Sequence, residues 1–483
     1  MKVDSCPATT QQRITGSGPL TPVILRLAGP VVLMMYLQGA YNIIDTIWVG
    51  RLLGKNALAG IASGGFVLWS LFGLANLIAV GTAAKVARRV GEGNQDQAEA
   101  VATRGLAYAL GLALILGAGL WFLTPALFWI MGTGTEVTAQ GAGYLRVILL
   151  GCPLIFLSFQ MLRTFQAAGD TITPMWLMGI TLLINTVLDP VLMLGLGILP
   201  GMGLKGAAVA TVIARSVFVG LALWLLWKKK RLGVGEGSEC RAGQGFKRLL
   251  PFLYPGTIGI QPRRWTGWDW PLLGSIMRIG LPVAVSHTLF PAVYMVITRI
   301  PASYDARYVA ALRIGHTVEG VSFFLAMGFS VAAATCIGQN LGAQKPQRAE
   351  RAAWIATGLV TAALLVSSAC FFLFSREIAT VFSKDSGAIE AGAAYLQILS
   401  VSQAFMGIEL VLAGAFSGAG NTLPPMAVSA PLNVARIPLA YLLAGPAGLA
   451  VNGVWWAISG SSILKGIVMV WWFSRGRWKQ KQV

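Results

Sequence analysis

Two carboxylates stand in stretches of the chain that otherwise hold almost no charge. Asp45 lies in Tyr41-Asn42-Ile43-Ile44-Asp45-Thr46-Ile47-Trp48, and Asp189 in Asn185-Thr186-Val187-Leu188-Asp189-Pro190. An acid inside an apolar helix is costly unless it meets an ion, a partner or water, so such residues mark ion and proton pathways. Helical residues at i, i+4 and i+7 share a face. That spacing places Gln38, Asn42 and Asp45 in one polar stripe with Tyr41 beside it, and aligns Thr181, Asn185 and Asp189 in another. Pro190 has no amide hydrogen and is expected to kink its helix, freeing carbonyl oxygens near the carboxylate. Two carboxylates with amide and hydroxyl oxygens suit a proton or a sodium ion. Either acid could instead be a helix-end group snorkelling to water.

The remaining polar residues of the apolar stretches are less specific. Thr211 is a lone hydroxyl of the kind that often bonds its own backbone. Glu319 and Glu409 either line a cavity wall that attracts a cation or pair with a nearby Arg. Arg163, Arg313 and Arg436 are expected to snorkel or to pair with an acid. His287 titrates near neutrality if it is free, but a hydrogen-bonded core histidine is the simpler expectation. The five cysteines form no CxxC pair, and His287 and His316 do not have metal-ligand spacing. No nucleophile motif and no Walker-type loop appears, so neither an enzyme nor an ATP-driven pump is expected.

These residues need long apolar elements to hold them, and the composition supplies them. Of 483 residues, 55% are hydrophobic and 11% charged, against about 25% charged in a soluble domain. A cytosolic enzyme, a disordered chain and a coiled coil are excluded on that basis. A span needs about 20 apolar residues, and twelve are expected: 22–50, 57–82, 100–124, 139–165, 172–198, 205–228, 272–300, 308–333, 352–375, 389–417, 422–444 and 449–474. Residues 1–20 are too polar for a cleavable signal peptide. The net charge of +19 reads as short basic loops at a membrane, not as nucleic-acid binding. Lys and Arg number 21 in loops on the side of the termini and 7 on the other. Both termini are therefore expected in the cytoplasm, with the basic segment 229–271 as a cytoplasmic linker.

The chain also repeats. At an offset of 251, Tyr144-Leu145 meets Tyr395-Leu396, Ala168-Gly169-Asp170-Thr171 meets Ala419-Gly420-Asn421-Thr422, and Pro174-Met175 meets Pro425-Met426. Six spans per half make a parallel repeat, an arrangement in which transporters hold substrate between halves and alternate access. The expected fold is an all-α membrane protein: twelve helices in two pseudo-symmetric six-helix lobes around a central cavity, with residues 1–228 and 272–483 as the lobes. The offset sets Asp45 against Val296 and Asp189 against Ala440, so the acids are not a packing requirement common to both halves.

The stretch Tyr41–Gly50, the stretch Gln166–Met175 with its Gly-Asp-Thr…Pro turn, Asn185–Pro190, and Gly206-Ala207-Ala208 together resemble the multidrug and toxic compound extrusion (MATE) transporters, nearest their DinF-like prokaryotic branch. The resemblance spans nearly the whole chain. It implies an inner-membrane antiporter that exports amphipathic, cationic compounds against protons or sodium, with no other cofactor. A flippase for lipids or lipid-linked precursors is the alternative use of the build. Asp45 and Asp189 would be the coupling acids, with Tyr41, Asn185 and Thr211 completing their network. A sodium ion would sit at Asp45, Asn185, Asp189 and Thr211. Gln38, Asn42, Thr181, His287, Glu319 and Glu409 are the substrate-cavity candidates. Small-molecule substrates and the bilayer are the expected partners, and a monomer the expected state. The chain departs from the family pattern in its long linker and in the absence of any acid from 272–300, where the nearest carboxylate is Asp269. The resemblance thus carries no coupling role into the second lobe.

The charge asymmetry is testable by thiol labelling. In single-cysteine variants, an impermeant reagent added outside sealed cells should spare Cys240 and modify a cysteine placed at Lys384. Labelling of Cys240 from outside would reverse the topology.

Overall fold

The computed structural model describes residues 10–130, 134–195, 201–231, 259 and 267–481, and every regular element among them is helical. Cys6, Cys240 and most of the 229–271 segment lie outside the described residues. In hydrocarbon each backbone amide and carbonyl must be satisfied within its own segment, which leaves helices as the solution for an open chain. Among the described residues, ten helices are long and apolar enough to cross a membrane: α1 (Leu20–Gly54), α2 (Val67–Gly91), α3 (Gln95–Trp129), α5 (Ile172–Leu194), α6 (Leu204–Leu226), α7 (Trp270–Tyr304), α8 (Ala306–Gly342), α9 (Pro346–Leu373), α11 (Leu423–Ala444) and α12 (Ala450–Ser474). Two further spans are bent pairs: α4 (Val137–Leu150 and Cys152–Ala167, at 55°) and α10 (Ser386–Ser400 and Gln403–Gly418, at 54°). The protein is an all-α, multi-pass membrane protein of twelve spans, six to each half. The apolar runs 139–165 and 389–417 carried no mark of the bends. Helix from Leu20 breaks at Gly54, where φ is 79°, and the helix that follows runs on to Gly91, beyond the expected end at 82.

Two compact units form: Met1–Gly16 with Leu33–Gly280, and Ser17–Val32 with Leu281–Val483. Each has one apolar cluster around Tyr144 or Tyr395 and a second around Phe165 or Phe416. The offset of 251 maps one unit's clusters onto the other's. Val86, Val90, Phe165, Leu177 and Phe218 become Ile337, Leu341, Phe416, Val428 and Met469, while Val49, Tyr144, Ile148 and Leu204 become Ile300, Tyr395, Leu399 and Trp455.

The turns repeat as well. α4 ends with Gly169 at φ 89° and Asp170 N–H donating to Phe165 O at 2.9 Å; α10 ends with Gly420 at φ 72° and Asn421 N–H donating to Phe416 O at 2.9 Å. This is a glycine C-cap whose wrapped hydrogen bond satisfies a terminal carbonyl. The same wrap closes α2 at Gly93 (φ 76°) and α8 at Gln344 (φ 57°). Outside the spans, acids serve as caps. Asp269 accepts from Leu272 N–H at 3.0 Å at the start of α7 and pairs with Arg104 at 2.7 Å. That accounts for the carboxylate nearest the acid-free seventh span.

The repeat supplies an internal control on packing. A Cβ at Gly315 would collide with the ring of Tyr395, whereas at the equivalent Gly64 it would meet Tyr144 at 3.6 Å, an ordinary contact. Gly315→Ala should therefore lower stability by about 1–3 kcal/mol, and Gly64→Ala should leave thermal unfolding in detergent nearly unchanged.

Candidate functional site

The coupling candidates all lie within the first compact unit, on α1, α5 and α6. Asp45 is buried at the end of a helix face that runs Gln38, Tyr41, Asp45. Asn42 departs from the expected stripe: its side chain is exposed, and its carbonyl accepts from the Thr46 hydroxyl at 2.7 Å. The spacing from Gln38 through Asn42 to Asp45 tolerated either face. Tyr41, large and partly apolar, takes the buried one.

On α5, Asn185 Nδ2 donates to Asp189 Oδ1 at 3.0 Å, across one helical turn. Both residues are buried, at 1% and 0% exposure. Thr181 shares their face, but its hydroxyl donates to Leu177 O at 2.7 Å and is thereby committed to its own helix. The helix remains continuous through Pro190. The ring there deprives the Thr186 carbonyl of an amide donor. On α6, Thr211 accepts from the Tyr41 hydroxyl at 3.0 Å, a link from α1 to α6.

Electrostatics joins the two acids. Asp189 lies within range of Asp45, and the Tyr41 and Tyr144 hydroxyls lie within range of both. Three buried oxygens of this group, Asp45 Oδ1, Asn185 Oδ1 and Asp189 Oδ2, have no hydrogen-bond partner among the described residues. Buried polar atoms are rarely left so. An all-oxygen set of this kind fits a hard monovalent cation, and equally a proton on one carboxylate. Among the described residues no cluster of three His, Cys, Asp or Glu is present that would hold a transition metal.

Sequence reasoning missed two members of this group. Tyr144 shows in the sequence only as a repeat marker. Arg215, one turn beyond Thr211, donates from Nη2 to Gln38 Oε1 at 3.2 Å and stands 5.9 Å from the Tyr41 ring centroid. A charged residue in the middle of an uncharged span is the signal that would have found it.

The second unit treats its polar residues differently. Glu409 on α10 pairs with Lys465 on α12 at 2.8 Å and accepts from the Ser429 hydroxyl at 2.7 Å. Its partner is thus a lysine, not one of the expected arginines. Arg436 on α11 does not snorkel. It is 2% exposed and donates to Ser461 at 2.6 Å, Ser462 at 2.9 Å and the Tyr294 hydroxyl at 3.2 Å. Glu319 is half-buried and within range of Arg436 and Lys465. His287 is exposed, not in a core position. The structure therefore brings Asp45, Asp189, Asn185, Tyr41, Thr211 and Gln38 together in one unit. It leaves Glu319, Glu409 and His287 in the other.

The MatE family model matches residues 30–191 and 282–442, two segments offset by the repeat. A probable multidrug resistance protein NorM of Thermotoga maritima is 28% identical over 95% of this chain and 93% of its own length. An FAD transporter of Shewanella oneidensis is 27% identical over 91% and 90%. A solved MATE structure in the straight conformation superposes with a TM-score of 0.84 at 22% identity, over 98% of this chain and 100% of that one. With both halves matched in register and the two-lobe, twelve-helix fold shared, the chain belongs to the MatE family, whose members are membrane transporters and not enzymes.

Proposed function

We propose that the protein is a secondary active antiporter of the bacterial inner membrane. It exports amphipathic compounds that carry a cationic group, in exchange for protons or sodium ions, with both termini cytoplasmic. The observation that carries this reading is the trio of buried, unpartnered oxygens on Asp45, Asn185 and Asp189. An arriving proton or sodium ion meets those oxygens and cancels one of the pair's two negative charges. The Asn185–Asp189 hydrogen bond then loses strength at its charged acceptor, and the backbone bond missing at Pro190 gives α5 a second available shape. Substrate is released outside, and access alternates to the inside, where the ion leaves. One charge crossing about 100 mV is worth about 2.3 kcal/mol, enough for a gradient of roughly fifty-fold per ion.

Two further facts support the reading. In the second unit, Lys465 already supplies the charge that Glu409 needs, which leaves coupling to the first. The relatives named for multidrug resistance and for FAD transport speak for small-molecule cargo over lipid precursors.

Asp45→Asn and Asp189→Asn should each abolish export from proteoliposomes while insertion and folding persist. Normal export by both would remove the mechanism. Because ion and substrate compete, substrate affinity in detergent should fall as pH drops or sodium rises, and Asp45→Asn should flatten that dependence. Imposed pH and sodium gradients, applied separately, identify the ion.

The buried ion pair predicts a stability pattern. Lys465→Met strands a desolvated carboxylate and should cost about 3–5 kcal/mol. The double variant Lys465→Met with Glu409→Gln should recover most of that loss in thermal unfolding.

A further inference from the structure

Arg215 is the one charged residue of the α1–α5–α6 group that the ion-exchange scheme does not use. It is 7% exposed. Its recorded partners, the Gln38 amide oxygen and the Tyr41 ring, are neutral. Among the described residues it forms no ion pair, although Asp45 and Asp189 in the same unit each leave a carboxylate oxygen without a donor. The second unit shows how buried cations are otherwise accommodated: Lys465 has Glu409, and Arg436 has three hydroxyl acceptors. The fold does not demand the charge either, since the offset of 251 sets Arg215 against Gly466.

A guanidinium in the middle of a span is expensive. It carries five donors in a planar fork, of which Gln38 takes one. The fork matches a carboxylate or phosphate group bidentately. Cation and anion functions are thus held apart within one unit: the acids on α1 and α5, the guanidinium on α6 beside Gln38 and Tyr41.

Resting on the assignment of transport to this unit, we infer that Arg215 is an anion subsite that receives a carboxylate or phosphate of the transported compound. The preferred cargo is then an amphipathic zwitterion, its cationic end toward Asp45 and Asp189 and its anionic end on Arg215. The buried ring of Tyr41 stands 5.9 Å from the guanidinium and one helical turn from Asp45 on α1.

A matched pair of dyes tests this. Rhodamine 110 carries a free carboxylate, and rhodamine 123 is its methyl ester on the same cationic ring system. Fluorescence binding to the purified full-length protein should favour the acid by about tenfold or more, the loss expected when a polar site meets an analogue lacking its partner group. Arg215→Gln should bring the acid-to-ester affinity ratio to about one. Arg215→Lys keeps the charge but not the fork, and should give an intermediate ratio even if the glutamine variant fails to fold. A wild-type ratio near one, no binding of the acid by the wild type, or an unchanged ratio in the variants would each overturn the proposal. The pH and sodium dependence of affinity in the unmutated protein reports the ion coupling separately, so either reading can fail without the other.

Discussion

In the hydrocarbon interior a polar group finds only the partners that the chain itself provides. Backbone groups meet this constraint by forming helices. Side chains must meet it one at a time, and the buried charges Glu409, Lys465 and Arg436 of the second half meet it differently from Asp45 and Asp189 of the first. In the second half, Glu409, Lys465, Arg436 and their serines form a closed set in which the charges have partners. In the first half, Asp45, Asn185 and Asp189 each keep an oxygen without a partner among the described residues. A closed set holds helices together, and an open one is available to an ion.

This contrast stands on a duplicated scaffold. The core clusters, the glycine-capped turns after α4 and α10, and the bends of 55° and 54° recur at one offset. The charges do not. Asp45, Asp189 and Arg215 face Val296, Ala440 and Gly466 across the repeat, and Glu409 faces Ser158. Packing is shared because each half must bury the same faces. Chemistry diverges because a polar group inside a span persists only where its own half supplies a partner or a use for it.

Pro190 leaves the Thr186 carbonyl without its helical donor and places a weak point of the backbone beside the carboxylate and amide oxygens of Asp189 and Asn185, where a change of charge is felt. The Tyr41–Thr211 bond and the Arg215–Gln38 bond both run from α1 to α6, so the same three helices hold the ion group and the guanidinium.

The amino-acid sequence alone determined the membrane class, the number of spans, the repeat and the acids Asp45 and Asp189. Each of these follows from composition, from hydropathy over about 20 residues, or from a charge where apolar residues are expected. It did not show the bends in α4 and α10, because a bend at Gly151 or at Val401-Ser402 leaves hydropathy unchanged. Nor did it separate Asn42 from Tyr41, since both lie within one turn of Asp45 and only packing decides which faces inward. The partners of Glu409 and Arg436 were equally hidden: Lys465 is 56 residues from Glu409, and the serines are 25 and 26 from Arg436. Helical periodicity reports neighbours three or four residues apart on one helix. Which residue on another helix meets a buried charge is set by how the helices pack, and only the tertiary structure decided it.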